Sequence, residues 1–110
     1  MRWERVTETA EALAAASIAD LRHALDRPPS EVSSDMDRVE QGLARLRDRL
    51  IDGLHRAPAG ADRTALDRVN AVLSLVVAVE YPAAGIQRDL VTQAHDALHD
   101  LVRSGALAGR

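Results

Sequence analysis

The sequence contains neither cysteine nor lysine nor phenylalanine, and its 110 residues include a single tryptophan and a single tyrosine. Without cysteine the chain can form no disulfide, no thiolate metal site and no cysteine nucleophile. Strands of β-sheets are usually rich in aromatic side chains. The scarcity of aromatic residues in this sequence therefore argues against a β-sheet protein. Alanine and leucine, with 20 and 14 copies, are abundant instead and favour helices. The composition therefore predicts an all-α fold.

A large charge of one sign and long apolar runs are missing as well. A net charge of −3 gives the chain no general attraction to nucleic acid or to an anionic membrane surface. The most apolar run, from Ala71 to Val79, is interrupted by Ser74 and is less than half of the roughly 20 residues that a membrane span needs. The first five residues already include charged side chains, and the apolar stretch that a secretory signal requires does not follow them. We therefore expect a cytoplasmic protein without membrane contact, folded as one domain over residues 1–110.

Proline and glycine interrupt the chain at three places. These are Pro28 with Pro29, Pro58 with Gly60, and Pro82 with Gly85. The apolar spacing between them predicts four helices, over about residues 3–26, 31–56, 63–80 and 84–104, with Gly105 as the stop of the last helix and a frayed end after it. Short connections force successive helices to run in opposite directions, which predicts an antiparallel up-down-up-down four-helix bundle. The alternative is a three-helix core whose remaining helix completes the bundle of a partner.

The apolar faces of the helices differ in width. In the second helix the apolar residues follow heptad steps and form a band only about 80° wide, namely Val32, Met36, Val39, Leu43, Leu46 and Leu50. The third helix has an apolar arc of about 160°, and that of the fourth is also wide. Arcs wider than one small bundle needs are typical of a subunit contact, so we predict a homodimer. Its predicted interface residues are Val72, Val76, Val79, Leu98 and Val102.

Glu80 is the candidate for an internal site. It falls inside the apolar arc of the third helix, where a carboxylate would lose its water and its pKa would rise. Such carboxylates are enriched at functional sites, and Tyr81, Arg88 and His95 are possible polar partners in a small-molecule or metal site between helices. The other interpretation is that the helix ends at this point, so that Glu80 reaches water or pairs with Arg88.

His95 and His99 lie four residues apart on the fourth helix, a spacing that supplies half of a metal site. They fall beside the apolar face rather than within it. The chain also has no Glu-x-x-His, the motif that the carboxylate metal sites of four-helix bundles require. We therefore interpret the pair as a polar flank or a subunit contact, and we predict no bound metal and no cofactor.

Four arginines align within about 40° on the outward face of the second helix: Arg38, Arg45, Arg49 and Arg56. One interpretation is a row that tracks phosphates or an acidic partner. However, Glu31 and Asp52 are interspersed with the row, and few aromatic side chains are present for base stacking. A solvated face with local ion pairs explains the row better.

Motifs of known catalytic machinery are missing from the sequence. It has no Gly-x-x-x-x-Gly-Lys phosphate loop, no Gly-x-Ser-x-Gly nucleophile motif and no His-Glu-x-x-His metal motif. We therefore predict a cytoplasmic protein-interaction module that self-associates and has no catalytic activity. The alternative is the site around Glu80, and a weaker alternative is nucleic-acid binding through the arginine row.

Overall fold

The computed structural model describes residues 9–26, 32–56, 60–79 and 86–108, and each of these four stretches contains one helix. The helices are α1 (Ala10–Leu25), α2 (Val32–Arg56), α3 (Gly60–Ala78) and α4 (Ile86–Arg103). None of the described residues belongs to a strand, so the all-α prediction is confirmed over these ranges. Helix α3 begins at Gly60, three residues before the predicted start, and the predicted first turns of α1 lie outside the described residues.

The start of α1 is fixed by a side-chain cap. The hydroxyl oxygen of Thr9 accepts a hydrogen bond from the backbone N–H of Ala12 at 3.1 Å, and its carbonyl accepts from the N–H of Leu13 at 2.9 Å. A threonine in this position satisfies donors that a helix start otherwise leaves without partners. The helix continues to Leu25, and the N–H of Asp26 closes its last turn on the carbonyl of His23.

The four helices enclose one hydrophobic core. Each helix packs against the next along the chain, and α1 also packs against α4, so every helix has two neighbours. The heptad stripe of α2 is buried over all its described positions, as its spacing predicts; these are Met36, Val39, Leu43, Leu46 and Leu50. Burial of leucine and valine side chains at about 25 cal/mol per Å² is the main source of the bundle's stability. No helix in the described ranges is both long and apolar enough for a membrane span.

The residues predicted for a dimer interface are buried in the single chain. Val72, Val76, Val79 and Leu98 are at most 2% exposed, and Val102 packs partly buried against the same core. The wide apolar arcs of α3 and α4 are therefore largely covered within one molecule, because each of these helices has a neighbour on both sides.

A glycine lets the chain turn after the end of α4. Gly105 has a φ of +80°, which side-chain-bearing residues rarely adopt, and it follows the last turn of α4 as the sequence predicts. The reversal returns Leu107 to the core, where it is 1% exposed. The prediction of a frayed end after Gly105 is therefore wrong for this residue, because the turn gives Leu107 an apolar contact that holds the segment in place.

Candidate functional site

The cluster predicted around Glu80 is described only in part. Glu80 and Tyr81 lie outside the described residues. Arg88 is exposed, whereas the side chain of His95 is only 16% exposed. Seven residues separate Arg88 from His95 along α4, which is roughly 10 Å of helix. Among the described members of the predicted site, His95 is the one held in a defined environment.

His95 connects α4 to α1 through a polar contact. Its Nδ1 lies 3.0 Å from Oδ1 of Asp96, and its Nε2 lies 3.5 Å from Nη2 of Arg22. Because a guanidinium can only donate, this arrangement assigns the ring proton to Nδ1, which donates to Asp96, and leaves Nε2 as the acceptor. The ring also stacks on that of His99, with centroids 5.9 Å apart and planes 9° apart. The pair therefore forms a polar flank beside the core.

The same contacts bear on metal binding. A ligating histidine needs a free ring nitrogen, and the cationic Arg22 faces the available nitrogen of His95. The described ranges contain no group of three or more side chains that could hold a metal ion. Through His95 the pair forms one exposed polar contact between α4 and α1.

A buried carboxylate connects α1 to α2, and the sequence analysis missed it. Asp35 is 0% exposed, and its Oδ1 accepts a hydrogen bond from Nη2 of Arg38 at 2.7 Å. Nδ1 of His23 lies 3.6 Å from the same oxygen, and Nε of Arg38 lies 3.9 Å from Oδ1 of Asp20. The sequence spacing could have predicted that Asp35 is buried, since it lies four residues before Val39 and therefore on the same inner side of α2. This network holds the α1/α2 contact together.

The arginine row of α2 is partly neutralised within the chain. Besides Arg38, which bonds to Asp35, Arg56 donates a hydrogen bond to Asp52. That hydrogen bond, together with the positive charge of Arg56, holds the pKa of the Asp52 carboxyl below its usual value of 3.8. Arg38 and Arg56 therefore have carboxylate partners on their own helix. Such local ion pairs are what the interpretation as a solvated face expects.

An open groove lies on the other flank of α2, between α2 and α3. Its α2 side is formed by polar or small residues and its α3 side by two apolar ones: Asp37, Glu40, Gln41, Ala44, Arg47, Leu73 and Val77. It has a volume of about 380 Å³ and is open to solvent along its length. We refer to these seven residues as the α2/α3 groove. A second hollow lies on the outer surface of α3, where Asn70 and Ser74 adjoin the same Leu73 and Val77.

Val77 is the single large hydrophobic residue that is exposed within the described ranges, at 39%. By its position on a helical wheel Val77 belongs to the wide apolar arc of the third helix. The structure places it at the outer edge of that arc, next to the half-buried Leu73 and Ala44. The α2/α3 groove therefore has an apolar wall on α3 and a largely polar and charged wall on α2.

Comparison with known proteins adds no further assignment: no protein family, curated protein or solved structure gives a significant match to this chain. The candidate function therefore rests on the geometry of the residues described above.

Proposed function

We propose that this chain is a cytoplasmic protein-interaction module without catalytic activity, and that it acts by self-association as a homodimer. The proposal includes the antiparallel up-down-up-down arrangement of its four helices. The observation that carries it is the α2/α3 groove, where the exposed Val77 and its neighbour Leu73 form an apolar wall opposite charged side chains of α2.

The direction of the helices is supported by the contact between α1 and α2. Three pairs of residues meet there: Ser17 with Gly42, Asp20 with Arg38, and His23 with Asp35. As the residue number rises along α1 it falls along α2, which is the pattern of two helices running in opposite directions. The three-residue connection between α2 and α3 favours the same relation for the next pair.

The shape of the groove favours a protein over a small molecule. Sites for small molecules are usually concave enough to surround most of the ligand, whereas this groove is open along its length. Apolar side chains next to polar and charged ones are the usual composition of a protein interface. The polar networks on the other flanks are bonded within the chain, through Asp35 on one side of α1 and His95 on the other.

The experiment is sedimentation velocity over a concentration series up to about 500 µM, a range suited to the weak interfaces that small patches form. We expect a monomer at low concentration and a dimer at high concentration. Val77→Asp should abolish the dimer while the helical circular dichroism stays unchanged, because a charge at the centre of an apolar contact has no partner there. The matched control is Ala16→Asp, which adds the same acid to an exposed position of α1. A monomer over the whole range would refute the proposal.

The site around Glu80 is a second candidate, and one observation favours it. His95 is mostly buried, and its Nδ1 donates to the carboxylate of Asp96, as the second ring nitrogen of a ligand-binding imidazole often does. This candidate predicts that the purified protein carries a stoichiometric metal ion or small molecule, or that Zn²⁺ binds in a calorimetric titration and fails to bind to His95→Ala. Absence of both signals would remove it.

A further inference from the structure

Along α2, the charges that line the α2/α3 groove are acidic at one end, with Asp37 and Glu40, and basic at the other, with Arg47, and from this we infer how two copies meet. This inference rests on the self-association proposed above. We propose a two-fold dimer in which the α2/α3 groove of one copy faces that of the other, with each α2 antiparallel to α2 of the partner subunit. The symmetry axis lies in the plane of contact and crosses the groove at the level of position 42.

The α2 side of the groove supplies the first argument. Asp37 and Arg47 lie five residues on either side of position 42, and Glu40 and Ala44 lie two residues on either side. Asp37 and Arg47 are ten residues apart, which is roughly 15 Å along a helix. An antiparallel partner therefore brings Asp37 of each copy against Arg47 of the partner subunit. Both ends of the contact gain an oppositely charged pair.

The α3 side supplies a second argument from different residues. Leu73 and Val77 lie four residues apart and form the α3 side of the same groove. A two-fold contact between the two grooves therefore also brings these apolar side chains toward those of the partner subunit. The small Ala44 on α2 leaves room for the approach. The antiparallel arrangement therefore forms both the apolar contact and the ion pairs.

These features identify the occupant as a second copy of this chain. A contact between identical surfaces about a two-fold axis requires that a patch complement itself, with acid and base on opposite sides of its centre. A different protein partner would impose no such condition on one surface. Within the chain Arg47 contacts its neighbour Asp48 at 3.3 Å. This solvated ion pair contributes little free energy, so it competes only weakly with a pair between the two copies.

Charge reversal tests the pairing directly. Asp37→Arg gives a chain with two basic ends, and Arg47→Asp gives a chain with two acidic ends. We expect each variant alone to dimerise at least about tenfold more weakly than the original chain, because like charges face each other at both ends. A one-to-one mixture of the two should form heterodimers of roughly the original affinity, since every pair is again of opposite sign. The double variant D37R/R47D should also dimerise.

Asp100→Arg is the control, because it makes the same charge change at an exposed position of α4 and should leave dimerisation unchanged. Circular dichroism melting shows whether each variant folds. If the original chain dimerises but the two single variants behave like it, or if their mixture does not recover, the proposed face is refuted while self-association stands. If the original chain stays monomeric throughout, self-association itself fails, and this inference fails with it.

Discussion

The two flanks of α2 carry similar charged residues and differ in what surrounds them. On the α1 flank the helices are close enough that a Cβ atom on Gly42 would lie 2.8 Å from Oγ of Ser17, and Asp35 is fully buried. On the α3 flank, Asp37 and Arg47 line an open groove. The neighbouring side chains differ, because the small Ser17 of α1 lies against Gly42, whereas Leu73 and Val77 of α3 line the groove. The close approach of α1 goes together with the enclosure of Asp35, while Asp37 and Arg47 stay accessible.

The largest change in stability that tests this comparison is expected on α3, where one of two neighbouring valines lies in the core and the other lines the groove. Val76 is 0% exposed and Val77 lines the groove. Val76→Ala should lower the free energy of unfolding by about 2–3 kcal/mol, because it removes buried methyl groups and leaves a cavity. Val77→Ala should change it by less than about 0.5 kcal/mol. Urea unfolding at a protein concentration that keeps the chain monomeric gives both values. Equal losses would show that the groove is closed by the chain itself.

The next effect concerns two aspartates on the same helix. Asp35→Ala should destabilise the fold by about 2 kcal/mol, since it removes a buried acceptor of a charge-assisted hydrogen bond from Arg38. Asp37→Ala, two residues along and exposed, should leave the stability of the monomer within about 0.5 kcal/mol. Chemical denaturation of the two variants measures the contrast. A stable Asp35→Ala variant would mean that burying the carboxylate costs as much as its bonds contribute.

A smaller effect is expected where α1 and α2 meet most closely. Alanine is ordinarily the better residue inside a helix by about 1 kcal/mol, yet Gly42→Ala should destabilise by about 1 kcal/mol because its Cβ meets the Oγ of the buried Ser17. In a Ser17→Ala background the same substitution should become neutral or stabilising, since the obstructing oxygen is gone. A double-mutant cycle from thermal melts measures this change of sign. An unchanged penalty in both backgrounds would contradict the proposed contact.

The smallest effect concerns the exposed pair of Asp52 and Arg56. The lowered pKa of Asp52 means that its carboxylate stays charged to a lower pH in the folded chain than in the unfolded chain. Its contribution is therefore present above the unfolded pKa of about 3.8 and is lost as the pH falls through the folded value. Since the pair is solvated, Asp52→Asn should leave the melting temperature at pH 7 unchanged within error. A clear drop at pH 7 would show that the pair stabilises more than an exposed pair should.

The candidate site was less predictable than the fold. The arginine row and the polar flank at His95 followed from position on a helical wheel, because each depends on one helix alone. Asp35 and Val77 depend on two helices, and the sequence analysis missed both as site residues. Their exposure is set by the distance to α1 or α3, and no spacing within α2 or α3 encodes that distance.

The sequence by itself determined the helices and the heptad stripe of α2, because a repeat of 3.6 residues and the placement of proline and glycine act within one segment. It also predicted that the last helix stops at Gly105. Only the tertiary structure decided that Val72, Val76, Val79 and Leu98 are covered within one chain and that Leu107 folds back onto the core. The reason is physical: periodicity fixes which way a side chain points on its own helix, whereas burial depends on which neighbour covers it and how closely that neighbour can approach.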